Sequence, residues 1–153
     1  MDSIGRTPLP HNPPWAIRSE DAIFFVTICA KERAGGPLIL DRIPARLIDS
    51  IAFNNAQGRW HVFTAVVMPD HIHMLVRAPV ELQRVVNDWK HWTSRHLRVR
   101  WQRDFFDHRL RNDESLREKA DYMLQNPVRA ELVTIWEDWP HRFQSVEMIQ
   151  VSR

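Results

Sequence analysis

Residues 60–78 read WHVFTAVVMPDHIHMLVRA, and this stretch decides the fold. Its first nine residues are mostly apolar, with β-branched and aromatic residues prominent, and predict a strand. Pro69-Asp70 is a turn signal, because proline presets φ and aspartate can bond its own backbone. Residues 71–78 then form a second strand, hairpin-paired to the first and ended by Pro79. Successive side chains on a strand point to opposite faces. His71, His73, Leu75 and Arg77 therefore share one face, and Ile72, Met74 and Val76 share the other, which is apolar throughout.

The flanking sequence extends this hairpin in both directions. Residues 22–30, AIFFVTICA, predict a strand that the Gly35-Gly36-Pro37 break ends in a loop. Residues 44–56 place Leu47, Ile48 and Ile51 at helical spacing, with Pro44 suited to the first turn and Gly58 as a stop. Residues 81–98 carry Leu82, Val85, Val86, Trp89 and Leu97 close to one helical face. Residues 104–110 predict a short fourth strand. Residues 113–126 predict a helix opened by Asn112 or Asp113 and closed before Pro127, where a short helix restarts. The expected division is an extended, Pro-rich arm over 1–20, a domain over 21–138 and a tail over 139–153, in which no period is legible. The first six elements match the β-α-β-β-α-β split unit: an α+β fold with an antiparallel sheet, both helices on one face, and one further helix.

Composition bounds the function. The chain has 153 residues, 44% hydrophobic and 26% charged, as expected of one globular core. No apolar run approaches the roughly 20 residues of a membrane helix, and the first residues lack a signal core. A cytoplasmic protein without membrane contact is expected. The one cysteine, Cys29, excludes a Cys-rich metal site. Four glycines and no Gly-rich loop argue against a dinucleotide fold. Net charge is only +2, but the stretch from Arg84 to Arg111 holds eight basic residues against three acids. Such a stretch is either a solvated helix face or a phosphate-binding one. On the second reading Arg84, Lys90, Arg95, Arg98, Arg100, Arg109 and Arg111 are the candidate DNA contacts.

Two features carry chemistry. His71 and His73 sit about 7 Å apart along one strand face, by two residues of rise. Leaning together, two neutral imidazoles can ligate one divalent ion; otherwise they are polar residues on an exposed face. Tyr122 is the only tyrosine in the chain. It falls off the apolar stripe of Leu116, Ala120, Met123 and Leu124, so its phenol is available for chemistry. Asn126 lies one turn later, where its carbonyl oxygen can serve as a ligand or its side chain can cap the next helix.

The phrase PDHIHMLV at residues 69–76, together with YMLQNPVRAELV at 122–133, resembles the REP-associated tyrosine transposases, within the single-tyrosine HUH (IS200-like) transposases. The resemblance implies a ferredoxin-like HUH core with an added C-terminal helix that carries the tyrosine. It implies that His71, His73 and Asn126 hold Mg²⁺ or Mn²⁺. It also implies that Tyr122 attacks a phosphodiester of single-stranded DNA, leaving a 5′-phosphotyrosine and a free 3′-OH. The implied partners are REP palindromes folded as hairpins, bound by a monomer or a homodimer. A phenol titrates near 10 in water, so this nucleophile needs a base or a nearby cation; His108 and Lys119 are candidates by chemistry. Glu131 departs from the family pattern, which commonly has glycine there. Two rival readings stand beside this one: a non-catalytic nucleic-acid-binding module of the same fold, stacking bases on sheet aromatics, and a domesticated family member that binds hairpins without cutting.

Overall fold

The computed structural model describes residues 21–111 and 115–150; the expected N-terminal arm, and the expected caps Asn112 and Asp113, lie outside them. The strands are β1 (Ile23–Cys29), β2 (His61–Val67), β3 (His71–Arg77), β4 (Phe106–Arg109) and β5 (Arg142–Gln144). They form one sheet in the order β4-β1-β3-β2-β5, with every neighbouring pair antiparallel. The helices are α1 (Ile43–Ala56), α2 (Leu82–Leu97), α3 (Leu116–Leu124), α4 (Asn126–Arg129) and α5 (Val146–Gln150). The first four strands with α1 and α2 are the expected split unit. The β2–β3 hairpin closes at the Pro69-Asp70 turn, where the Met68 N–H donates to the His71 carbonyl at 2.8 Å.

Strand alternation sorts the apolar residues into two cores. Ile72, Met74 and Val76 of β3 and Val26 and Ile28 of β1 pack with Leu47 and Ile51 of α1 and Val86, Trp89 and Leu97 of α2. On the opposite face Leu75, Phe63 and Val66 pack with Ala120, Met123 and Leu124 of α3, Trp139 and Met148. The sheet is thus covered on both faces, which explains why β2 is buried from Val62 to Val67 and reads as a continuous apolar run. Among the described residues no helix is long and apolar enough to cross a membrane.

The later elements refine the sequence reading. The described part of α3 starts at Leu116, and its cap is Ser115, whose hydroxyl accepts from the Glu118 N–H at 3.2 Å. Ser115-x-x-Glu118 has the residue pattern of a capping box. The helix breaks at Gln125 because Pro127 has no N–H to give to Met123 and its ring crowds that carbonyl. Gln125 occupies the cap position of α4, without a side-chain cap bond. The capping role considered for Asn126 is therefore corrected: it is the first residue of that helix. Residues 139–150, where no period was legible, are tied to β2. Strand β5 pairs with Thr64–Val66, the Trp139 indole donates to the Val67 carbonyl at 3.0 Å, and Glu147 holds His61 at 2.9 Å.

Glu131 sits at φ +60°, the left-handed region where a Cβ is strained and glycine is not. Glu131→Gly should therefore stabilise the protein by about 1 kcal/mol, read as a higher urea midpoint at unchanged m-value; a lower midpoint would show that the carboxylate makes up for the strain.

Candidate functional site

The histidine pair lies mid-sheet, on β3, with its register set by β1: His73 is opposite Thr27 and His71 opposite Cys29. The two Nε2 atoms are 3.1 Å apart and the rings meet edge-on at 73°. Each outer nitrogen has a partner. His71 Nδ1 is 2.7 Å from Asp70 Oδ1, and His73 Nδ1 is 2.9 Å from Thr27 Oγ1. The carboxylate fixes the proton of His71 on Nδ1 and leaves its Nε2 lone pair facing inward. At 3.1 Å the two Nε2 atoms share one hydrogen bond; with both Nδ1 atoms protonated, the two Nε2 lone pairs are a donor set that a divalent metal can take.

The surroundings keep His73 neutral. Burial pushes His73 down to about 3, and the positive charges of His71 and Arg129 add to this. Burial raises Asp70, but hydrogen bonds from Arg33 and His71 outweigh it and hold the carboxyl below its ordinary value. The Arg33 Nε–Asp70 bond is 2.8 Å long. The Phe25 ring stacks on His73 at 5.1 Å between centroids. Among the described residues no cluster of three or more His, Cys, Asp or Glu could hold a metal.

Helix α3 covers the same sheet face as the imidazoles, because Met123 and Leu124 pack on Leu75 and Val66. Tyr122 is left 58% exposed. The Arg129 guanidinium stacks over its ring at 3.9 Å and donates to its carbonyl at 2.8 Å. Arg129 also lies 3.5 Å from Asn126 Oδ1. Lys119 bridges the two halves: its ammonium is 5.0 Å from the Phe25 ring and 5.8 Å from the Tyr122 ring. The structure therefore gathers His71, His73, Tyr122 and Asn126 on one face of one chain. The histidines touch directly; Tyr122 reaches them through Lys119, Phe25 and Arg129. His108, on β4, is the cross-strand partner of Phe25.

Sequence reasoning missed Thr27, Phe25, Asp70 and Arg129. The first two share a face of β1 by simple alternation, which becomes informative only once β1 is known to lie beside β3. Arg129 is within the quoted YMLQNPVRAELV string, but the break at Gln125 hides its position relative to Tyr122.

The basic stretch divides. Arg84 and Arg95 are exposed on α2, which packs on the sheet face opposite the histidines. Lys90 is corrected: it is 7% exposed, and its ammonium donates to the carbonyls of Gln102 and Arg103 at 2.8 and 2.9 Å. Burial lowers its pKa, opposed by the charge of Asp104. Arg98 and Arg100 lie beyond α2, Arg109 is on β4 and Arg111 follows it.

The family profile described as "Transposase IS200 like" matches residues 20–110, more than half of the chain. The chain belongs to that family. The matched region contains the histidine pair and ends before α3. The chain is similar to a putative REP-associated tyrosine transposase of Haemophilus influenzae, 27% identical over 94 residues, covering 49% of this chain and 53% of that protein. It is similar to the REP-associated tyrosine transposase of Escherichia coli, 30% identical over 80 residues, covering 49% and 48%. The chain thus spans about half the length of the curated relatives it matches. Among solved structures, one described as a REP-associated tyrosine transposase bound to a REP hairpin superposes with a TM-score of 0.68 at 23% identity, over 79% of this chain and 75% of that one. That likeness establishes the shared fold.

A histidine held neutral in the fold but free to protonate when unfolded contributes stability that is complete above its unfolded value and lost as pH falls. For His73 the window runs from 6.5 down to about 3. Urea midpoints in metal-free buffer should fall as pH drops from about 7 to about 5, and His73→Gln should flatten that fall. Parallel curves for the two proteins would contradict the burial of a neutral imidazole.

Proposed function

We propose that this chain is an endonuclease and strand-transferase for single-stranded, REP-type hairpin DNA, working through a 5′-phosphotyrosine intermediate. The observation that carries the reading is the convergence on one sheet face of two imidazoles whose Nε2 atoms lie 3.1 Å apart and an exposed phenol beneath a guanidinium. His71 and His73, with Asn126, would hold Mg²⁺ or Mn²⁺, which when bound supplies charge neutralisation at a non-bridging phosphate oxygen.

The remaining work falls to side chains of the chain itself. Asp70 and Thr27 orient the imidazoles, and Phe25 excludes water from one ring face. The Tyr122 oxygen attacks phosphorus, the bond from phosphorus to the 3′-oxygen breaks, and the 3′-OH is released. Lys119 and Arg129, the two cations over the ring, offset negative charge that develops in the transition state. The phosphotyrosine conserves the energy of the phosphodiester, so the 3′-OH of another strand can reverse the step without ATP. The rival base-stacking module needs an open sheet face, whereas α3 packs on the face in question.

Incubation with single-stranded REP hairpin DNA and Mn²⁺, followed by denaturing gels, should give a covalent protein–DNA adduct that Tyr122→Phe does not form. His71→Ala should lose cleavage and keep hairpin binding; an equal loss of both would make the histidine structural. Arg129→Ala should slow adduct formation about a hundredfold, the cost of removing one preorganised electrostatic group, with partial recovery in Arg129→Lys.

A further inference from the structure

Five exposed cations from two distant stretches of sequence meet beside the histidine pair. Lys31 and Arg33 follow β1; Arg98, Arg100 and Arg103 follow α2. The backbone laces the stretches together. The Lys31 N–H donates to the Arg100 carbonyl at 2.8 Å, the Gln102 N–H to the Cys29 carbonyl at 2.9 Å, and Ala30 bridges to Trp101. Buried Lys90 holds the carbonyls of residues 102 and 103 from beneath, and the Trp101 indole donates to Thr93 Oγ1 at 2.8 Å. The backbone that carries these cations is therefore held in place by bonds from both stretches. It also abuts the pair: the Ala30 N–H donates to the Asp70 carbonyl at 2.8 Å, and Arg33 reaches His71 through the Asp70 carboxylate.

Its charge is only partly balanced. Glu32 pairs with Arg100 at 3.2 Å and Asp70 with Arg33. Among the described residues Lys31, Arg98 and Arg103 make no ion pair. Cations held outward on a fixed backbone, next to a site suited to a phosphate, are the electrostatic footprint of a bound strand. We propose that this ridge is the track on which the sugar–phosphate backbone of single-stranded DNA runs into the histidine site, a proposal that rests on the reading of the site given above. The outward face of α2, on the other side of the sheet, is not that track.

The test is equilibrium binding of a fluorescein-labelled oligo(dT) strand in EDTA, by anisotropy across a salt series. The triple variant Lys31→Gln/Arg98→Gln/Arg103→Gln leaves the imidazoles, Asp70 and Tyr122 untouched. Each lost phosphate contact lowers the salt slope by about 0.7, so the slope should fall by about 2 and affinity by about 100-fold at 0.1 M salt. Arg46→Gln/Arg59→Gln/Arg84→Gln, on the α1 and α2 side, should leave the slope unchanged. Circular dichroism confirms that each variant is folded. Failure of the wild type to bind, an unchanged slope in the folded ridge variant, or a greater loss in the α1/α2 variant overturns the proposal. Ridge-dependent binding without any covalent adduct keeps the track and removes the transesterification reading; adduct formation with an unchanged slope does the reverse.

Discussion

The two-sided use of β3 is the constraint on which the site depends. As a central strand it has β1 and β2 as neighbours, and its alternate residues serve opposite purposes. Ile72, Met74 and Val76 are fully buried beneath α1 and α2, each burial contributing about 2 kcal/mol. His71 and His73 occupy the other face. A slip of one residue would exchange these sets, placing imidazoles in the core and three apolar side chains outside it. The hairpin bond at Met68–His71 and the pairing with β1 hold the register, so the energy of the apolar core also aims the histidines.

The same economy places the tyrosine. Helix α3 is anchored by Ala120, Met123 and Leu124, and the turn of about 100° per residue then directs Tyr122 away from that contact. Lys119, one turn earlier, points back over Phe25, whose other neighbour is His73. Pro127 ends the helix and turns the chain so that Arg129 folds over the Tyr122 ring. The imidazole pair with Arg33, Lys119 and Arg129 around it forms an environment suited to an anion, because the cations offset its charge while the burial that strips it of water strengthens each contact.

Charge counted along the sequence and charge arranged in space tell different stories. The basic stretch from Arg84 to Arg111 is continuous as text, yet α2 lies across the sheet from the histidines. Lys90, in the middle of that stretch, is buried and tied to two carbonyls. Composition counts Lys90 with the phosphate-binding residues, whereas the fold uses it to brace the segment that carries Arg100 and Arg103. Lys31 and Arg33, which belong to no basic run, join the charged surface only because β1 ends where that segment passes.

The sequence by itself determined the elements and their sides. Period-two alternation in 71–77, helical spacing in 82–97 and the Pro69-Asp70 turn are local signals, since each depends on residues a few positions apart. The histidine pair and the lone tyrosine were legible for the same reason. What depended on contacts between residues far apart in the chain was decided only by the tertiary structure: which strand lies beside β3, hence Thr27 and Phe25 in the site, and that residues 142–144 add a fifth strand. Sequence patterns encode which face of an element is apolar. Which polar groups meet across a packed sheet follows from the one arrangement that buries all those apolar faces at once.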